Sequence, residues 1–248
     1  MSEETLITQA SASHESVKEK LMYALDVDAI AKTTPYIDAL APYIGCFKVG
    51  LELTSASGMP HVVQHIHRHG GHVFLDCKFN DIPNTVGAAA RVASALGVQY
   101  FNVHSSAGMD AVKAAAEYKG NSKLLVVTVL TSLDDAASEK IFGTIARNKV
   151  LQFAHEAKEC GADGIVCSPH ELELLATVPE LKDLLKVTPG IRPSWAQQDD
   201  QKRVMTPKEA LKLGATHLVI GRPISNPPRG IGSPVDAVKA ILDEMAQA

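Results

Sequence analysis

Cysteine, tryptophan and aromatic residues in general are scarce in this chain: four cysteines, one tryptophan and 5% Phe, Trp and Tyr among 248 residues. Cys46, Cys77, Cys160 and Cys167 have no CxxC spacing. That argues against a structural zinc site and a disulfide framework, and it fits a reducing compartment, the cytoplasm. No apolar run is long enough to span a bilayer, and the first twenty residues have neither a signal-peptide apolar core nor an arginine-rich amphipathic pattern. A membrane is therefore not expected as a partner. Positive charge is not in excess either, with 24 basic against 28 acidic residues and a net charge of -4. No global field exists to hold nucleic acid, so any phosphate site must be local. Low-complexity segments and composition shifts are missing too, and 46% apolar with 21% charged residues describes an ordinary globular chain with a large core.

What is present is a recurring alternation. Short β-type runs occur at 21–26 (LMYALD), 45–51, 72–79, 98–104, 123–130, 162–168, 184–190 and 215–221. Each is apolar almost throughout, as strands covered on both faces should be. Helical stretches fill the gaps, among them 84–97, 148–161 and 233–248, the last opened by Ser233 with Pro234 in its first turn. Eight strand–helix units of about thirty residues predict an α/β protein of the (β/α)8 TIM barrel type. The rival is an open doubly wound sheet, but no GxGxxG follows the first run. We expect residues 1–20 to form a loose arm with a short helix and residues 21–248 a single barrel domain. Two connections, 131–143 and 191–207, are longer than the rest and lie at C-terminal strand ends, where barrels keep their active sites and lids.

The densest polar feature is LDCKFNDIPNT at 75–85, in which Asp76, Lys78 and Asp81 interrupt a strand end and the turn after it. Side chains two apart share a strand face, so Asp76 and Lys78 point inward while Cys77 and Phe79 point toward the helices. Asp81 lies beyond the strand, where a turn carries it back toward Lys78 or out toward another subunit. Flanking carboxylates favour the ammonium form of Lys78, which makes it an acid, not a Schiff-base nucleophile. Buried charges seldom stabilise a fold over apolar replacements, so three of them at a barrel rim point to function. Asp26 and Lys48, at the ends of the first two runs, extend this to a line of alternating sign, although Asp26 or Asp28 also suits a helix N-cap.

Across the barrel, Thr188–Arg192 (TPGIR) and the Gly221–Arg222 pair outline a phosphate site, with glycine admitting backbone N–H groups and arginine offering a charge-assisted fork. His61, His65, His69 and His72 follow near-helical spacing, but on the helix between the second and third strands, with no carboxylate in register; a solvated outer face is expected, and no metal site. Cys77 reads as an outward apolar residue and Trp195 as packing within the long seventh connection.

Taken together, ALD at 24–26, FKVG at 47–50, DCKFNDIPNT at 76–85, TVLTS at 128–132, TPGIRP at 188–193, the glutamine in DDQKRVMTP at 199–207 and VIGRPI at 219–224 resemble the orotidine 5'-monophosphate decarboxylase family over nearly the whole barrel. The resemblance implies decarboxylation of orotidine 5'-monophosphate to UMP without metal or organic cofactor. It implies Lys78 as proton donor within an array of Lys48, Asp76, Lys78 and an Asp81 contributed by the partner of a homodimer. Ile82 and Thr85 would cross the same interface. Asp26 and Lys48 would hold the ribose, Thr131 and Ser132 the pyrimidine, and Arg192, Gln201, Gly221 and Arg222 the phosphate, with Pro189 a further substrate-binding residue. The alternatives are a Mg²⁺-dependent hexulose-phosphate synthase or ketogulonate-phosphate decarboxylase sharing the DxKxxD core, and a nucleotide-binding barrel without catalysis.

Overall fold

The computed structural model describes residues 13–196 and 205–248. Its strands are β1 (Leu21–Ala24), β2 (Cys46–Val49), β3 (Val73–Phe79), β4 (Tyr100–His104), β5 (Lys123–Val127), β6 (Gly164–Val166), β7 (Leu185–Thr188) and β8 (His217–Ile220). All eight expected runs are strands. They pair in parallel in sequence order, and β8 returns to β1, closing the barrel. The chain is thus a (β/α)8 barrel, as the alternation of runs implies.

Why the runs are apolar throughout is visible in how burial divides. Met22, Ala24, Cys46, Phe74, Leu125, Val187 and Val219 form one cluster, the barrel interior. Their neighbours in sequence, such as Tyr23, Phe47, Leu75, Phe101, Val126 and Leu218, belong to a second cluster between strands and helices. Period-two alternation thus feeds two apolar compartments from each strand. Small residues set the tightest approach: a Cβ on Gly164, at the start of β6, would fall 2.5 Å from Leu185 Cβ and 2.6 Å from its carbonyl oxygen.

Three of the described α-helices begin where a short polar side chain satisfies a free backbone N–H group. Ser233 caps Pro234–Met245 and forms a reciprocal box with Asp236, and Thr206 does the same with Glu209 for Pro207–Lys212. The connection at 131–143 is not all loop: Asp135–Phe142 is a helix, capped by Asp134 and ended by left-handed Gly143. Those two residues are ordinary start and stop signals that outweigh the stretch's polarity. Residues 13–17 are helical, Lys18–Lys20 is a 3-10 turn leading directly into β1, Val17 is buried, and His14 Nε2 meets Asp243 Oδ1 at 2.6 Å.

At the N-terminal end of the barrel, Tyr100 and His217 close the floor. Tyr100 Oη lies 3.2 Å from His217 Nε2, and Thr216 Oγ1 lies 3.0 Å from Nδ1. Burial, with a smaller contribution from Lys20, lowers the His217 pKa to about 4. The histidine helix, Met59–Arg68, is amphipathic as expected but less solvated: His65 Nε2 is 3.1 Å from Thr34 Oγ1, and His69 Nδ1 is 2.7 Å from Asp38 Oδ1. The carboxylate missing from the helix's own register comes from the neighbouring helix Thr34–Leu40. Among the described residues no helix is long and apolar enough to cross a membrane, and no group of three or more His, Cys, Asp or Glu side chains could hold a metal ion.

Candidate active site

A cavity of about 320 Å³ opens at the C-terminal rim of the strands. Its charged side is a continuous line. Asp26, two residues past β1, accepts a hydrogen bond from Lys48 Nζ at 2.9 Å; Lys48 Nζ lies 3.6 Å from Asp76 Oδ2; and Lys78 Nζ donates to Asp76 Oδ1 at 2.7 Å. The two central side chains are the least solvated, Lys48 at 12% and Asp76 at 14% exposure. Attraction between opposite charges is strongest where water is displaced, so the middle of the line is held most firmly. Gly50, just after β2, keeps it open: a Cβ there would come within 3.1 Å of Lys48 Nζ.

Strand β3 carries both Asp76 and Lys78 on an irregular stretch. Leu75 pairs with Phe101 and Phe79 with Val103, so Asp76, Cys77 and Lys78 together stand opposite Asn102 alone. Two extra residues preserve the parity of the strand. Phe79 therefore still faces the helices, and Asp76 and Lys78 both still line the cavity, as alternation alone predicts. Lys78 is the only non-glycine among the described residues with positive φ, +49°. A left-handed residue with a side chain carries roughly 1 kcal/mol of strain. Partners at both ends of the residue offset it: the Lys78 N–H donates to Asn102 Oδ1 at 2.7 Å and Lys78 Nζ to Asp76 Oδ1 at 2.7 Å, the same oxygen that accepts from Asn102 Nδ2 at 2.6 Å.

Opposite the charged line the wall is apolar: Val127, Val129, Leu130, Val166 and Val219, with Phe74 beneath. Cys167 also lines it, with its thiol pushed up to about 12 by burial, hence neutral and not a nucleophile. The far side holds Pro189, Gly190, Arg192, Gly221 and Arg222, so two guanidiniums meet the cavity across from the lysines. Arg192 is buried and its backbone N–H donates to Met205 O at 3.0 Å, which ties the two ends of the long seventh connection together. Trp195, in that connection, packs against the outer core.

Of the residues expected from the sequence, Asp26, Lys48, Asp76, Lys78, Thr131, Pro189, Arg192, Gly221 and Arg222 all line this one cavity. Ser132 does not; it is exposed next to Thr131. Asp81, Ile82 and Thr85 are exposed on the outer surface beside the mouth, where Asp81 Oδ1 accepts from the Ile82 N–H at 2.7 Å instead of reaching Lys78. Gln201 lies outside the described residues. Sequence reading missed Asn102 and the valine wall. The signal for Asn102 was a lone amide inside an apolar strand, at the inward parity.

Residues 19–241 match the model of the orotidine 5'-phosphate decarboxylase / HUMPS family. The chain belongs to that family. A curated relative from Geotalea uraniireducens (strain Rf4), named orotidine 5'-phosphate decarboxylase, is 41% identical over 241 residues, covering 94% of this chain and 98% of the relative. One from Moorella thermoacetica with the same name is 43% identical over 241 residues, 92% of each. Among solved structures, orotidine 5'-phosphate decarboxylase from Lactobacillus acidophilus superposes with a TM-score of 0.77 at 34% identity, covering 91% of this chain and 98% of that one. For a decarboxylase / HUMPS family barrel, the cavity lies where the fold places active sites, at the C-terminal ends of the strands.

Proposed function

We propose that this protein is a carboxy-lyase that converts orotidine 5'-monophosphate to UMP and CO₂ in pyrimidine synthesis. Family membership and the names of the relatives support the reaction, and one observation carries its assignment to this cavity: an ammonium, Lys78, stands in a line of alternating charge facing an apolar wall, with two arginines across from it. The wall suits a pyrimidine ring, and the arginines with the glycine-containing turns suit a phosphate.

The chemistry asks for what the line supplies. When the C6–carboxylate bond breaks, CO₂ leaves and the electron pair stays on C6, with no adjacent carbonyl to spread it. The Lys78 ammonium stabilises that charge, transfers its proton to C6 to form UMP, and regains a proton from solvent. Asp76 holds Lys78, and its own charge, close to the departing carboxylate, disfavours the bound substrate more than the neutral product CO₂. Asp26 and Lys48 hold the ribose, Thr131 contacts the ring, and Arg192, Gln201, Gly221 and Arg222 hold the phosphate, whose binding supplies free energy at a distance from C6. No cofactor is required. A Mg²⁺-dependent reaction fits less well, since Lys48 already occupies the space between the Asp26 and Asp76 carboxylates that a divalent cation would need.

The working form is a homodimer in the cytoplasm with shared sites. Ile82, at 65% exposure, is the most exposed large apolar side chain among the described residues, and it sits between Asp81 and the Pro83–Ala95 helix bearing Thr85. A second copy covering this surface brings Asp81 to its partner's cavity. The deciding experiment follows the absorbance of orotidine 5'-monophosphate with purified protein, with and without EDTA, beside Lys78→Ala. EDTA-insensitive conversion lost in the variant supports the proposal; tight UMP binding without conversion points to a silent binding barrel, and neither points to Mg²⁺ and sugar phosphates.

A further inference from the structure

Asn102 is the fully buried polar side chain of β4, and its amide is used at both ends. Oδ1 accepts from the Lys78 backbone N–H at 2.7 Å while Nδ2 donates to Asp76 Oδ1 at 2.6 Å. Only one orientation of the amide allows this. Turning it over would set its NH₂ against an N–H and its carbonyl against a carboxylate. The same Asp76 oxygen takes the Lys78 ammonium at 2.7 Å, so Asn102 closes a ring through the backbone of Lys78, its side chain and the carboxylate. That ring spans the irregular stretch of β3, where Lys78 adopts its left-handed φ and regular ladder pairing is suspended.

We propose that Asn102 is a positioning residue: by holding the Lys78 backbone in its left-handed turn and the Asp76 carboxylate in one orientation, it fixes where the ammonium stands when it meets the substrate. The inference rests on Lys78 as the proton donor. Asn102 is not among the residues that line the cavity, and its contribution is one of geometry. The charged and titratable groups around it are Asp76 and Lys78 on β3, Lys48 on β2 and, on its own strand, Tyr100 and His104; on β5 its paired residue is Leu125, with Lys123 opposite Tyr100. His104 titrates below the usual histidine range because of its burial, with Lys78 contributing.

Steady-state decarboxylation and UMP binding are measured for wild type, Lys78→Ala, Asn102→Ala and Asn102→Asp, with circular dichroism as a check on folding. The expectation for Asn102→Ala is a kcat about a hundredfold lower with UMP affinity within about threefold of wild type. Asn102→Asp keeps the acceptor for the Lys78 N–H but loses the donor to Asp76 until its new carboxyl is protonated. Its kcat relative to wild type should rise at least about tenfold from pH 8 to pH 5.5, a signature that lost packing cannot produce. A kcat for Asn102→Ala near wild type, a parallel loss of kcat and UMP affinity, or a flat ratio for Asn102→Asp overturns the proposal. If Asn102→Ala does not fold, the Asn102→Asp ratio alone decides. A wild type without decarboxylase activity, or an active Lys78→Ala, overturns the parent reading and this one with it. An active wild type, an inactive Lys78→Ala and a flat ratio overturn this one only.

Discussion

At the scale of single residues, the site is a set of charges whose neighbours decide what they can do. Lys78→Ala should lower kcat by at least about a thousandfold, in the range general acids contribute, with UMP binding preserved. Arg222, which lines the cavity across from the lysines, should act differently. Arg222→Ala is expected to weaken UMP by about ten- to a hundredfold, the loss of one or two charge-assisted hydrogen bonds, and to leave uridine almost untouched; calorimetric titration of both ligands checks it, and equal losses would remove the phosphate role. How far such roles can be read from sequence depends on whether they follow strand parity. The inward placement of Asp76 and Lys78 was legible because the irregularity in β3 adds two residues; a single extra residue would have turned Lys78 toward the helices. The left-handed φ of Lys78 and its bond to Asn102 were not, because both depend on a contact between residues 24 apart in sequence and on the direction of one amide.

At the scale of elements, the barrel depends on a few close approaches as much as on its apolar runs. Gly164→Ala places a methyl group on the backbone of Leu185 and must part β6 from β7. A loss of about 1 to 3 kcal/mol in urea unfolding is expected, with the charged line on the opposite side of the barrel unaffected. Elements were the most legible level of this chain, since all eight runs buried on two faces became strands. The errors lie in the connections. The stretch at 131–143 was read only as a long connection, although Asp134 and Gly143 bracket a helix within it. The exposed face given to the histidine helix was drawn from that helix alone, while Thr34 and Asp38 on another element supply its partners. Periodicity within a segment says which side is apolar but not what will pack beside the polar side.

At the scale of the molecule, two expectations concern how the parts act together. If Asp81 serves the partner's site, mixing inactive Asp81→Ala and Lys78→Ala proteins under verified subunit exchange should restore activity through heterodimers with one intact site of two. No recovery would place Asp81 in its own subunit's cavity. The floor of the barrel sets a pH limit. His217 titrates near 4 when folded and near 6.5 when unfolded, so as pH falls the unfolded state takes up the proton first. Its contribution is whole above pH 6.5, declines between 6.5 and 4, and loses nothing further below that. Wild type should lose about 2 to 3 kcal/mol more than His217→Gln between pH 7 and pH 4 in denaturant titrations; parallel losses would show that another group governs acid sensitivity. Closure of the barrel has one more consequence. Since β8 pairs with β1, none of the eight strands offers an unpaired row of backbone N–H and carbonyl groups. A folded copy therefore offers no barrel-strand edge for another chain to extend, and association through these strands must wait for the ring to open.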